Sequence, residues 1–242
     1  MKILYLYYDL MNLYGENGNP KVLKKHLEDQ GFEVTLDRKT IGEKIDFSEY
    51  DFIYSGAGTE RNQKVALLDL QKRKKEFKEA VEEGIPMLFT GNSFEMIGKS
   101  ILGIDGKEYE GLGLMDFETK ENPRVRYNND VIFLDENSKE LIGFINRSGS
   151  CYGIKEADSM FKVLFGEGHN SDSKFEGVKL KNFMGTYLTG PALVKNPPLM
   201  RKIVELIGKR AKEDFELKEV EYPYEEKSYE VTLNALLKRY EK

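Results

Sequence analysis

The chain contains a single cysteine, Cys151, among 242 residues. One thiol excludes an intramolecular disulfide and makes a reducing compartment, the cytoplasm, the simplest home. Histidine is almost as scarce. With only His26 and His169, no H-x-x-x-H pair and one cysteine, a His/Cys zinc centre is not expected. No apolar run approaches the roughly 20 residues a bilayer span needs, and the polar stretch Asp9 to Asn19 interrupts the opening apolar segment too early for a signal peptide. An extended basic face is also missing: 37 Lys+Arg stand against 42 Asp+Glu, a net charge of -5. Nucleic acid, whose affinity rests on phosphate neutralisation, is therefore not an expected partner. Neither G-x-x-x-x-G-K-[ST] nor G-x-G-x-x-G occurs, so no nucleotide cradle is indicated and no cofactor is expected.

What remains is a chain with 40% hydrophobic and 12% aromatic residues, enough for a sizeable globular core. One domain over residues 1–212 and a charged tail, 213–242, are expected. The tail ends in an amphipathic helix through Leu233, Leu236, Leu237 and Tyr240.

Lys2 to Tyr8, Asp51 to Ser55 and Pro86 to Phe89 are short continuous apolar runs, the pattern of strands buried on both faces of a parallel sheet. A second strand is expected over Glu33 to Leu36. Between these runs fall a helix starting at an Asn19 N-cap with Pro20 at its first position, and a long charged helix burying Val65, Leu68, Phe77 and Val81. Such alternation implies an open, mostly parallel, flavodoxin-like α/β sheet with helices on both faces. The second half is less regular, with strands expected at Val131 to Leu134, Leu141 to Phe144, Phe161 to Phe165 and Phe183 to Leu188. A helix then opens at Asn196-Pro197-Pro198 and buries Ile203, Leu206 and Ile207.

Two turns stand out as candidate site elements. Gly56-Ala57-Gly58 follows the third strand, where ligands of open α/β sheets sit and where backbone amides can approach a ligand. Thr90-Gly91-Asn92-Ser93 follows the fourth, where a sharp strand-to-helix turn can lift a nucleophile to its apex above oxyanion-stabilising N–H groups. Here the apex is Gly91, which has nothing to attack with. Cys151, in a turn-like stretch, reads as an inert thiol, and Asn62 and Gln63 read first as solvated helix-start residues.

Several segments, in order, resemble the class I glutamine amidotransferases of the cobyric acid synthase-like branch, and are similar to the glutaminase subunits of lipid II isoglutaminyl synthases. They are Met11-Asn12-Leu13-Tyr14-Gly15 with Gly18-Asn19, and Gly56-Ala57-Gly58 through Gln63. Next come Gly111-Leu112-Gly113-Leu114-Met115-Asp116, Gly143-Phe144 with Asn146 and Gly149, and Glu176-Gly177. The strongest is Gly185-Thr186-Tyr187-Leu188-Thr189-Gly190-Pro191 with Lys195-Asn196-Pro197, which in the family reads GTYLHGP and KNP.

The resemblance implies the class I amidotransferase fold, an elbow cysteine that attacks the glutamine amide, a histidine base, and ammonia passed to a partner. In the lipid II enzyme that partner is a Mur ligase-like ATPase serving cell-wall synthesis. This chain departs at both chemical positions. The family's Cys-Gly-Gly-Tyr-Gln falls on Gly91-Asn92-Ser93-Phe94-Glu95, and its histidine falls on Thr189. Glycine offers no thiolate, and a threonine hydroxyl does not accept a proton near neutral pH.

A pseudo-glutaminase that scaffolds or regulates a Mur ligase-like partner is therefore expected. The alternatives are a hydrolase or amidase reusing a pocket of Gly56, Ala57, Gly58, Gln63, Asn92, Ser93 and Glu95, or a sensor that binds glutamine or another small amino acid there. On this reading Gly91→Cys alone stays inactive, whereas Gly91→Cys with Thr189→His regains weak turnover.

Overall fold

The apolar runs become buried parallel strands. A computed structural model describes residues 1–240, so the last two residues of the expected tail lie outside it. In chain order β1 (Lys2–Leu6), α1 (Gly18–Asp29), β2 (Thr35–Lys39), β3 (Phe52–Ser55), α2 (Glu60–Leu70), α3 (Lys74–Glu82) and β4 (Met87–Thr90) build the first half. The main sheet is completed from the far end of the chain by β14 (Phe183–Thr186), which pairs parallel to β4, and by the antiparallel edge strand β13 (Val178–Leu180). Its order is β13-β14-β4-β3-β1-β2. Every residue of β3, β4 and β14 is buried, as strands covered on both faces require. A row of rings, Phe47, Phe77, Phe89 and Phe183, with centroids 5.1–5.8 Å apart, ties α3 to β4 and β4 to β14.

Two smaller sheets accompany it: the strands expected at Val131 to Leu134, Leu141 to Phe144 and Phe161 to Phe165 fall in the second, whereas the sequence pattern announces none of the strands of the first. One uses β5 (Ser100–Leu102), β6 (Glu108–Glu110), β7 (Glu118–Glu121) and β10 (Gly149–Tyr152), in the order β10-β7-β5-β6. The other uses β8 (Tyr127–Leu134), β9 (Glu140–Arg147), β11 (Phe161–Phe165) and β12 (Phe175–Glu176), in the order β12-β11-β8-β9. The chain then passes through α4 (Ala192–Lys195), α5 (Pro197–Ala211) and α6 (Pro223–Tyr240). No helix among the described residues is long and apolar enough to cross a membrane.

Three expectations change. The long charged helix is two, α2 and α3, joined by a short 3-10 turn at Gln71–Arg73. On α2 it is Gln63, Lys64, Ala66, Leu67, Asp69 and Leu70 that are buried, while Val65 and Leu68 are 39% and 58% exposed. Asn19 does not cap its own helix. It lies inside α1, donates to the Tyr54 hydroxyl at 2.6 Å and accepts the Leu193 N–H at 2.8 Å, so it fastens α1 to β3 and α4. Asn196 likewise bonds elsewhere than its own helix start: it accepts the Ile142 N–H at 2.7 Å and donates to the Ile142 and Ala192 carbonyls, each at 2.8 Å. The tail packs on the domain, with Leu236 buried against Ile132 and Ile142, Leu233 and Leu237 partly buried beside it, and Tyr240 46% exposed.

Asn196 substitutes for a missing neighbouring strand at Ile142, and it is fully buried. Asn196→Ala strands that backbone N–H and C=O, and is expected to lower unfolding stability by about 2 kcal/mol. Urea denaturation checks this; a loss near zero contradicts the pairing role.

Candidate functional site

β1, β3, β4 and β14 all run parallel, so the turns that follow them gather at one edge of the sheet, the carboxyl ends of the strands, beside the point between β1 and β3 where the strand order reverses. The site is built from those four turns. Gly91 ends β4 with φ +60, the left-handed conformation in which a glycine avoids the roughly 1–3 kcal/mol strain other residues bear. A Cβ placed there would stand 3.2 Å from the Thr189 Cγ2 and overlap the Ala57 methyl. Positions 91, 189 and 57 are therefore immediate neighbours. Residues 91–97 continue as a 3-10 helix, tighter than an α-helix.

Thr189 is held by β9. Its N–H and its hydroxyl both donate to the Phe144 carbonyl, each at 3.0 Å, so its one proton-bearing oxygen is committed to the backbone. Phe144 packs edge-on against Tyr14 from the turn after β1, with centroids 5.4 Å apart, which covers the Thr189 side of the site. The Gly58 N–H, in the turn after β3, donates to the Asn92 side-chain carbonyl at 3.0 Å. Ser93 does not face the site: its fully buried hydroxyl donates to the Thr90 carbonyl at 2.7 Å, with the Ser55 carbonyl at 3.1 Å.

Behind the elbow lies a buried polar network. Gln63 donates to Glu95 at 2.6 Å and to the Asn92 carbonyl at 2.5 Å, and accepts from Lys64 at 2.8 Å. Lys64 pairs with Glu121 of β7, and the Tyr187 hydroxyl donates to the other Glu95 oxygen at 2.7 Å. Gln63 is thus a fully buried structural linker rather than a solvated helix-start residue. Burial pushes the Glu95 carboxyl up to about 7, against the pull of the Lys64 charge and its hydrogen bonds. Two more carboxyls are fully buried in the domain. Glu16, bonded by Thr90, Tyr54, Asn19 and Gly190, and Glu176, bonded by the Tyr187 N–H and Thr186, are each raised by burial to about 7. Sequence patterns alone do not single out Glu16, Lys64 or Glu121; for Glu16 the one signal is its place directly after the Met11–Gly15 segment.

Cys151 and His169 are backbone neighbours, the Cys151 N–H donating to the His169 carbonyl at 2.8 Å, yet their side chains are bound elsewhere. The thiol sits against Tyr187 and Thr119, and burial pushes it up to about 12. The His169 ring donates from Nε2 to the Gly177 carbonyl at 2.8 Å, and burial pushes it down to about 4. Among the described residues, no three His, Cys, Asp or Glu side chains are grouped to hold a metal ion.

A parallel sheet with a positive-φ elbow, a glycine-bearing turn beside it and a facing loop from β14 defines a protein of the glutamine amidotransferase class. Residues 2–197 match the CobB/CobQ-like glutamine amidotransferase domain, and the chain belongs to that family. It is 33% identical over 226 residues to lipid II isoglutaminyl synthase (glutamine-hydrolyzing) subunit GatD of Staphylococcus aureus, covering 93% of this chain and 92% of that protein. With the subunit of the same name from Streptococcus pneumoniae it shares 31% over 205 residues, 84% of this chain and 79% of that protein. Among solved structures, PurLQS from Thermotoga maritima matches at a TM-score of 0.60 and 15% identity, over 87% of this chain and 99% of that one. A crystal structure of a glutamine amidotransferase matches at 0.56 and 16%, over 85% and 98%. These two likenesses bear on the fold.

Proposed function

We propose that the chain is a pseudo-glutaminase, a subunit with the glutamine amidotransferase fold that does not hydrolyse glutamine and that scaffolds or regulates a Mur ligase-like, ATP-dependent partner. One observation carries the reading: positions 91 and 189 adjoin at the elbow, and they hold a glycine and a threonine whose hydroxyl is spent on the Phe144 carbonyl. Glutamine hydrolysis by this fold needs a thiolate to add to the side-chain amide and an acid to protonate the departing ammonia. Neither group is present at the elbow. Ser93 and Cys151 are poor substitutes, since both are fully buried and hydrogen-bonded away from Gly91.

The choice of partner rests on the similarity to two subunits of lipid II isoglutaminyl synthases, a family whose glutaminase subunit serves a Mur ligase-like ATPase. A ligase served by this subunit draws on free ammonia. A single, buried thiol suits the reducing cytoplasm, where we place the complex.

The test is glutamate release from millimolar glutamine by the purified chain, alone and with its ligase. No release above buffer is expected, and ammonium salts, not glutamine, are expected to support amidation by the complex. Release that disappears on Ser93→Ala or Cys151→Ala would sink the proposal. In the same preparation, a rise in melting temperature with glutamine would favour an amino-acid sensor instead.

A further inference from the structure

Two further side chains crowd the elbow itself. The first is Ala57. A Cβ at Gly91 overlaps the Ala57 methyl and lies 3.0 Å from its Cα, and neither atom can swing aside as the end of a long side chain could. Relief requires moving the turn after β3, and that turn is clamped. The Ala57 carbonyl accepts the Leu13 N–H at 2.9 Å, and a Cβ at Gly56 would already meet the Met11 carbonyl at 2.6 Å.

The second is Asn92. Its side-chain oxygen takes the Gly58 N–H at 3.0 Å, and its backbone carbonyl is held by Gln63. A turn amide facing the elbow is the kind of donor that stabilises the oxyanion of an acyl transfer. Here the chain's own carboxamide already satisfies it.

We infer that Ala57 and Asn92 plug the glutaminase seat from within, one by volume and one by hydrogen bonding, so that restoring the thiol and imidazole alone does not restore hydrolysis. The inference rests on the reading of positions 91 and 189 given above, and it replaces the two-substitution repair expected from the sequence. Both residues are positioning residues, because they decide whether a reacting group has room and whether an amide donor is free.

A melting comparison tests the volume part without any activity. Gly91→Ala, the smallest probe, is expected to lower the melting temperature by roughly 5 °C or more in the native background and by clearly less in the Ala57→Gly background, where the left-handed backbone strain remains but the overlap with the methyl is gone. Equal losses in the two backgrounds overturn the plug.

The activity arm compares Gly91→Cys/Thr189→His with the same pair plus Ala57→Gly and Asn92→Gly. Glutamate release is expected only from the four-substitution chain, whose introduced thiol also reacts faster with iodoacetamide, as followed by site-resolved mass spectrometry. Equal turnover in the two forms overturns the plug but leaves the seat assignment standing, whereas turnover by the native chain overturns the assignment itself. Should neither form hydrolyse glutamine, the alkylation rates decide: faster labelling without Ala57 supports the plug, and equal rates overturn it. If the four-substitution chain does not fold, the melting comparison alone supports or overturns the plug.

Discussion

Arg147→Met is expected to lower unfolding stability by about 4 kcal/mol. The guanidinium is only 2% exposed and lies between the rings of Tyr127 and Tyr187, 4.5 and 4.4 Å from their centroids. It donates to the Gly149 carbonyl, to the Ser150 hydroxyl at 3.1 Å and to the Gly168 carbonyl at 2.7 Å. Removing a buried charge recovers some desolvation energy, which by itself would favour the methionine. Against that, charge-assisted bonds contribute about 1.5–3 kcal/mol each, and the variant leaves buried backbone carbonyls without donors. The losses win. Arg147→Lys is expected to rescue little, because a compact ammonium can neither stack between two rings nor fork to separate carbonyls. Urea unfolding of the two variants decides the matter, and a Met variant within about 1 kcal/mol of the native chain would refute the role.

The second large effect is a fall in stability as pH rises from 5 to 8. Glu16, Glu95 and Glu176 have folded values near 7 against an ordinary 4.5. Between those values the folded chain keeps protons that the unfolded chain releases, so raising pH favours unfolding. Their stabilisation is complete below about pH 4.5 and is lost as pH passes about 7. His169 acts in the opposite sense. With a folded value near 4 against 6.5, its stabilisation is present above pH 6.5 and is lost as pH falls toward 4. Three carboxyls outweigh one imidazole, and the net loss from pH 5 to 8 is on the order of 5 kcal/mol. Glu176→Gln isolates one contribution, since an amide can still accept the Tyr187 N–H and donate to Thr186 Oγ1. It is expected to reduce the loss by roughly 2–3 kcal/mol. Urea melts across the pH range check both parts, and an unchanged slope in the variant would refute the assignment for Glu176.

How much of this is legible in the sequence depends on whether a residue's partner is near it along the chain. β1, β3 and β4 are self-announcing, because strands buried on both faces are apolar throughout, and the sharp elbow at Gly91 follows from where β4 stops. The α2 face misleads because its buried polar residues are satisfied from far away. Lys64 meets Glu121, Gln63 meets Glu95, and Asp69 accepts from Tyr7 at 3.0 Å. A hydrophobic stripe drawn through Val65 and Leu68 points to the wrong side. β7 hides for the same reason: Glu118–Glu121 alternates exposed and buried residues, but those buried are Thr119 and Glu121. At the site, the matching of motifs places 91 and 189 in facing turns, whereas the obstruction by Ala57 is a matter of ångströms that no linear pattern encodes.

The pairing of β4 with β14 also has a consequence for synthesis. One flank of β4 stays open on the ribosome until roughly ninety further residues have emerged, and a late, non-local pairing of this kind slows folding. In the interval, Met87 to Thr90 offers an apolar ribbon with unpaired amides to any neighbouring nascent chain. Emergence of β14 is thus expected to close the window in which the first-made strands are open to aggregation.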